Sequence, residues 1–214
     1  MKKLLLTTAL ASVAALAAIP ANATLITSFA QESLTNTVTA TDNGTTTNIT
    51  IPAGTLVTLG GGIFNVSGAS MELTATSIDA ATMVGAQIIQ HYSGSFCVSS
   101  GSGCTGNFLS GTFTDAAFGA NGGPGLTVNV NNPPESLTLS SNVLPASELI
   151  PPSSFNLTFV NLSPALGIDG STIAAFAASF TGDVSASAVP EPASLGLLAS
   201  GALALGFLRR KPRV

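Results

Sequence analysis

A single histidine is the strongest general base in this sequence, so it is the natural starting point in a search for catalysis. His91 lies between Gln90 and Tyr92 in a run that reads as a strand. A Ser-His-Asp set needs a histidine, a serine and a carboxylate, and the composition supplies all three. The sequence nevertheless contains no Gly-x-Ser-x-Gly elbow, and its carboxylates show no pattern typical of glycoside cleavage. We therefore predict that His91 is a surface residue and that the protein is not an enzyme.

The two cysteines are the other candidates for chemistry. Cys97 and Cys104 are separated by Val-Ser-Ser-Gly-Ser-Gly, a flexible stretch that can close on itself. Two thiols and one histidine do not complete a typical zinc ligand set, and a redox pair usually has Cys-x-x-Cys spacing. The spacing favours a disulfide that clips the tip of a hairpin and contributes about 2.5 kcal/mol through loop entropy.

Two short acidic motifs offer carboxylates of the kind that bind calcium. They are Asp42-Asn43-Gly44 and Asp169-Gly170. Asp, Asn and Gly are also the residues that form tight turns between strands. We interpret both motifs as turns, and we expect neither a metal ion nor another cofactor.

Charge is scarce and unevenly placed along the chain. Only 7% of the 214 residues are charged, whereas globular proteins average about 25%. All six Lys and Arg lie at the two ends, so none is present between Leu4 and Leu208. Without cations to neutralise phosphate, the chain is not expected to bind nucleic acid.

The N-terminus has the three parts of a secretory signal peptide. Lys2 and Lys3 precede an apolar run at residues 4–19, and Ala21-Asn22-Ala23 supplies a small-x-small cleavage site. We predict a signal helix over residues 1–23 that the secretion translocon and signal peptidase recognise, with cleavage after Ala23. This signal implies an oxidising compartment, where a disulfide persists. An uncleaved anchor is the alternative, but the apolar run is short for a membrane span.

The C-terminus has a second apolar run, with basic residues on its other side. Residues 193–208 carry no charge and would span about 24 Å as a helix, slightly less than a bilayer core of about 30 Å. The basic residues in the tail, residues 209–214, are Arg209, Arg210, Lys211 and Arg213. They would act as a stop-transfer signal and snorkel to cover the shortfall, whereas a buried core helix would leave them without acidic partners. We therefore predict a transmembrane helix and place the region between the two apolar runs outside the cytoplasm.

The end of the chain, residues 189–214, resembles a known sorting signal. Val189-Pro190-Glu191-Pro192, the apolar span and the basic tail follow one another as in the PEP-CTERM signal of Gram-negative bacteria. The resemblance implies that exosortase, a membrane transpeptidase, recognises Pro190, Glu191 and Pro192 and cuts near them. It also implies a single-pass precursor held transiently in the inner membrane, and then a protein of the cell surface or extracellular matrix. The two prolines keep Glu191 in an extended segment that a processing enzyme can grip.

Residues 24–188 are predicted to form one extracytoplasmic domain, an antiparallel β-sandwich. Short runs rich in Thr and apolar residues recur between turn signals such as Asn121-Gly122-Gly123-Pro124. The predicted strands are residues 35–41, 47–51, 54–59, 71–75, 87–92, 107–114, 126–130, 137–139 and 155–160. Residues 172–184 fit a helix or a final strand, and we favour the strand. A β-solenoid is the runner-up fold, although the sequence has no fixed repeat period.

Three functions are compatible with this organisation. The first is a structural or adhesive role in the exopolysaccharide or biofilm matrix, which the resemblance to PEP-CTERM proteins implies. The alternatives are a secreted carbohydrate-binding module and a secreted hydrolase. Sugar platforms usually use exposed Trp and Tyr, but this chain has no Trp and one Tyr, and no hydrolase motif is present. The surface of the domain should have few ion pairs and should depend on hydroxyl and amide hydrogen bonds.

Overall fold

Strands make up most of the described chain. The computed structural model describes residues 23–33 and 35–187. The signal peptide, the sorting motif, the transmembrane helix and the basic tail that the sequence predicts lie outside these residues, except Ala23. The strands are β1 (Thr24–Gln31), β2 (Val38–Asp42), β3 (Thr47–Gly60), β4 (Val66–Ser77), β5 (Thr82–Val84), β6 (Gln87–Gly101), β7 (Thr105–Ala120), β8 (Leu126–Asn132), β9 (Ser136–Ser140), β10 (Ile150–Ser163), β11 (Ile168–Asp169), β12 (Thr172–Ile173) and β13 (Phe176–Ser187). A short 3₁₀ helix, Ala146–Glu148, lies between β9 and β10.

One antiparallel sheet contains eleven of these strands. Its order is β5-β6-β4-β3-β1-β13-β10-β8-β7-β9, and β2 pairs with both β13 and β3. An additional pairing between β6 and β7 joins distant parts of that order, so the hydrogen-bonded strands close on themselves. Strands β11 and β12 form a separate hairpin. The predicted mainly β, antiparallel fold is confirmed, and a sandwich fits this topology, whereas a parallel β-solenoid does not.

Strand β10 illustrates why these sequences form strands around a common core. Phe155, Leu157 and Phe159 are at most 1% exposed, while the intervening Asn156 and Thr158 are half-buried. A strand turns successive side chains to opposite faces, so apolar residues at every second position all point inward. Thr suits the outer positions because it is β-branched and its hydroxyl can meet water.

Phenylalanine rings fill the centre of this core. The ring of Phe155 stacks on that of Phe96 with centroids 4.2 Å apart. It also lies 5.4 Å from the ring of Phe113 and 6.4 Å from that of Phe29. Residues from β1, β6, β7 and β10 therefore meet at one point, which ties together strands that are distant in sequence.

Three core rings lie directly across from a glycine on the neighbouring strand. Phe96 is paired with Gly111, Phe113 with Gly94, and Phe29 with Gly182. A Cβ atom at Gly94 would lie 2.7 Å from the Cζ of Phe113, and one at Gly111 would lie 2.8 Å from the Cε1 of Phe96. The rings therefore occupy the space that a side chain would need at these positions.

Every predicted strand overlaps an observed one, but the boundaries differ. Residues 47–51 and 54–59 belong to the single strand β3, β6 extends past Gly94 to Gly101, and β7 extends past Thr114 to Ala120. The sequence does not predict β1, β5 or β11, whereas β13 confirms that the last segment is a strand. Within residues 23–33 and 35–187, none of the helices has the length and apolar character to cross a membrane.

Candidate functional site: a hydroxyl-lined groove

Five neighbouring strands present a row of hydroxyl side chains on one outer face of the sheet. The strands are β3, β4, β6, β7 and β9. Across them, each of Thr50, Thr74, Ser95, Thr112 and Thr138 is paired directly with the next. We call these five residues the hydroxyl row. Since adjacent strands are about 4.8 Å apart, the row extends for about 19 Å.

The hydroxyl row lines an open groove with a volume of about 610 Å³. Thr50 is half-buried, and the other four residues of the row are exposed. A second row of lining residues, two positions along each strand, contains Glu72, Cys97, Ser110 and Ser140. Glu72 is the single charged residue that lines the groove. The groove is therefore lined mainly by neutral residues, in which Ser and Thr hydroxyls lie beside apolar surface such as that of Pro52 and Ala53.

Several hydroxyls of the row remain available for a ligand. Thr74 and Ser95 have their hydroxyl oxygens 3.4 Å apart. The side chains of Thr50, Thr112 and Thr138 form no hydrogen bond with any other described residue. Each hydroxyl both donates and accepts, so the row can serve a ligand that does the same.

The predicted disulfide lies at one end of the groove. Cys97 and Cys104 are bonded, with their Cα atoms 5.8 Å apart. Cys97 and Ser99 belong to the outer face of β6, yet they are only 5% and 1% exposed, because the tip of the β6–β7 hairpin covers them. A Cβ added at Gly54 of β3 would lie 3.7 Å from the Cβ of Ser102 in that tip, so the tip lies close to β3. The clip at the hairpin tip is thus present, and it holds the end of the groove in place.

The disulfide also accounts for a cluster of metal-ligand types. Glu72, Cys97 and Cys104 place carboxylate oxygen and sulfur atoms within 4.8 Å of one another. Metals bind cysteine as the thiolate, and these two sulfurs are joined to each other. The cluster therefore leaves one carboxylate as a ligand, which is too few for a metal site.

His91 lies on the surface, as predicted, and is hydrogen-bonded to Asp79. Its side chain is 50% exposed. Its Nδ1 is hydrogen-bonded to one oxygen of the Asp79 carboxylate, and its backbone N–H donates to the other oxygen at 2.8 Å. Within the described residues this is the one contact between a basic and an acidic side chain, in line with the expected surface. No serine of the described chain is hydrogen-bonded to His91, and the pair fastens the loop at Asp79 to β6.

Two polar side chains beside His91 are fully buried. The hydroxyl of Tyr92 donates to Oε1 of Gln90 at 3.0 Å, and the same oxygen accepts the backbone N–H of Ile173 at 3.0 Å. The Nε2 of Gln90 donates to the carbonyl of Asp79 at 2.9 Å. Burial raises the pKa of the Tyr92 phenol because the phenolate would lose its hydration. The network joins β6 to β12 and to the Asp79 loop.

The two acidic turn motifs lie together and have the geometry of turns. Oδ1 of Asp42 accepts the backbone N–H of Gly44 at 2.9 Å and the hydroxyl of Thr172. The hydroxyl of Thr172, followed by the Gly44 N–H, lowers the pKa of Asp42. Gly170, with φ of 59°, packs against Gly44. The Asp42 carboxylate is thus engaged within its own turn and the neighbouring hairpin.

The comparisons with known proteins identify the end of the chain. The body described above is a mainly β domain with a groove that Glu72 alone lines with a charge. Residues 188–211 match the family described as the PEP-CTERM protein-sorting motif, so the chain carries this sorting signal at the predicted place. The motif implies export, sorting by exosortase and targeting to the cell surface in Gram-negative bacteria. No curated protein and no solved structure matches the chain.

Proposed function

We propose that this chain is an exported protein whose β domain has a structural or adhesive role in the exopolysaccharide matrix of a biofilm. The hydroxyl-lined, nearly uncharged groove is the observation that carries the proposal. Polysaccharides present dense arrays of hydroxyls, and a surface of hydroxyls can exchange hydrogen bonds with them without any charge. The sorting motif supports the proposal because it implies delivery to the outside of the cell.

In the proposed role, the β domain is not an enzyme. His91 and Asp79 are engaged with each other, and no serine of the described chain is hydrogen-bonded to the histidine. A secreted hydrolase is the alternative. If the protein hydrolyses any substrate, the activity of a His91→Ala variant decides whether a histidine-based mechanism is at work.

The precursor spans the inner membrane once and is processed at both ends. Signal peptidase cuts after Ala23, and exosortase cuts near Pro190, Glu191 and Pro192. Lys and Arg occur only in the two removed segments, so the finished protein retains neither. The precursor is thus anchored by signals that are absent from its mature form.

Localisation of a doubly tagged protein tests this proposal. One epitope is inserted at Gly85, in the exposed turn between β5 and β6, and a reporter follows Val214. In cells with exosortase, we expect the epitope without the reporter in the surface or matrix fraction. A Pro190→Ala/Pro192→Ala variant should keep both tags in the membrane fraction, as should the parent chain in a strain that lacks exosortase. Pro212→Ala, outside the triplet, is the control and should be processed normally.

Two results would contradict the proposal. A reporter that stays attached to the surface protein would mean that the tail is not removed. An epitope found entirely outside the surface and matrix fractions would mean that the domain has no role in the matrix.

A further inference from the structure

We propose that the groove over the hydroxyl row binds a segment of neutral polysaccharide. This inference rests on the proposed matrix role, and it adds a defined site and a class of ligand. The groove is about 19 Å long across its five strands, which suits a short stretch of a sugar chain rather than a single sugar. Its volume of about 610 Å³ lies in the usual range for ligand sites.

The charges around the groove select a neutral ligand. Residues 24–188 contain no Lys or Arg, so an acidic polysaccharide would find no cation to pair with. Glu72, the one charged residue of the lining, would repel it. A cationic ligand would find a single half-buried carboxylate. A neutral polyol, which offers hydroxyl donors and acceptors in equal measure, matches the remaining surface.

The chemistry of the lining also distinguishes a polysaccharide from a protein partner. Protein interfaces are enriched in aromatic residues, Met and Arg and depleted in Ser. The groove differs from such interfaces, since five of its seven exposed lining residues are Ser or Thr, and the other two are Pro52 and Ala53. Phe96 is the one aromatic residue of the described lining, and it is 3% exposed. Binding therefore depends on hydrogen bonds rather than on stacking of sugar rings against an aromatic platform.

The disulfide gives the groove its rigidity. Cys97 sits in the second lining row, and Cys104 brings the hairpin tip back over the outer face. The floor consists of paired strands, in which the hydroxyls are held at the regular spacing of the sheet. A preformed row of this kind loses little conformational entropy when it binds a ligand.

The test compares a groove variant with a matched variant elsewhere on the sheet. Thr112→Val/Thr138→Val removes two hydroxyls of the row that have no internal hydrogen bonds, and Val keeps the shape and suits a strand. The control, Thr127→Val/Thr158→Val, removes a pair of hydroxyls 3.4 Å apart on β8 and β10, outside the groove. Removing both members of such a pair leaves no unsatisfied partner. Thermal unfolding verifies that both variants fold.

The parent protein, the groove variant and the control are each expressed as the full chain, and the exported proteins are examined by affinity electrophoresis and calorimetry. The probes are dextran, laminarin and galactomannan as neutral polysaccharides, and alginate as a polyuronate. We expect the parent protein and the control to bind at least one neutral probe and not alginate. The groove variant should bind that probe at least about tenfold more weakly, as the loss of two hydrogen bonds implies.

Each other outcome overturns the inference. It fails if no neutral probe is bound, if alginate is bound more tightly, or if the groove variant and the control bind alike. These failures are distinguishable from failure of the proposed function, because the tagged protein would still reach the matrix fraction. An empty matrix fraction would instead reject the matrix role itself.

Discussion

Tyr92 shows how burial and hydrogen bonding act together on one side chain of this domain. It is fully buried, and its hydroxyl donates to Oε1 of Gln90. The phenol fits this site as long as it is neutral, because a phenolate would lose its hydration and would turn its oxygen from a donor into an acceptor. Nearby carboxylates of Asp42 and Asp79 raise the pKa further. The buried phenol of Tyr92 therefore makes the free energy of unfolding decrease at alkaline pH.

Alkaline titration provides a direct test of that site. A phenol whose pKa is raised in the folded state contributes stability that is fully present below about pH 10, where the unfolded state begins to ionise, and is lost as pH rises toward the folded-state pKa. We expect no phenolate absorbance while the protein is folded above pH 10, and a cooperative rise on unfolding. As Tyr92 is the one tyrosine and Trp is absent, the signal is unobstructed.

The matched variant for this titration is Tyr92→Phe. It removes the ionisable group, while Oε1 of Gln90 keeps the backbone N–H of Ile173 as its partner. Between pH 7 and alkaline pH, the variant should therefore lose less of its free energy of unfolding than the parent protein loses. For the parent protein, a gradual phenolate titration near pH 10 with an unchanged circular dichroism spectrum would contradict this prediction, because it would show that Tyr92 is accessible.

At the scale of the strands, glycine and phenylalanine act as partners. Isolated glycines within a β pattern usually indicate weak points or bulges. Here Gly94, Gly111 and Gly182 lie across from the rings of Phe113, Phe96 and Phe29. Each ring covers the glycine of the neighbouring strand, so strand pairing and core packing depend on the same contacts.

A methyl group at Gly94 is expected to disrupt this packing. Its Cβ would lie 2.7 Å from both the Phe113 ring and the carbonyl oxygen of Thr74. Overpacking of this kind costs about 1–3 kcal/mol, so Gly94→Ala should lower the free energy of unfolding by that amount in urea denaturation. Gly60→Ala is the control, because the added Cβ meets no atom within 4 Å. The two substitutions should differ clearly, and equal effects would contradict the proposed role of the ring.

The same pairs explain which features the sequence reveals. Alternation is sufficient to predict most strands of the sheet, because each of these has its own apolar face. It failed to give the length of β6, since Gly94 interrupts the pattern and only the ring of Phe113 on β7 restores the packing. Alternation also misses β1, whose residues directly follow the predicted signal peptide, and the short strands β5 and β11.

At the scale of the whole molecule, the site depends on register rather than on a motif. The hydroxyl row runs from Thr50 to Thr138, and its members become neighbours only when five strands align. A shift of one residue in any of these strands would turn its hydroxyl inward. No local spacing could indicate this arrangement, whereas the disulfide and the sorting motif were predicted because their residues are close in sequence.

Electrostatics at this scale leads to a prediction about salt. Residues 24–188 contain nine carboxylates and no Lys or Arg, which gives a formal charge of −9 with His91 neutral. The contact of His91 with Asp79 is half-exposed and is the one contact between a basic and an acidic side chain in the described chain, so screening removes little attraction. Screening does reduce repulsion among the carboxylates, which favours the folded state.

We therefore expect thermal stability at pH 7 to stay constant or increase as NaCl rises from about 0.01 M to about 1 M. Asp79→Asn, which removes the carboxylate beside His91, should respond in the same way. A decrease of more than about 3 °C in the Tm of the parent protein, equivalent to about 1 kcal/mol for a domain of this size, would show that attractive charge pairs stabilise the fold after all.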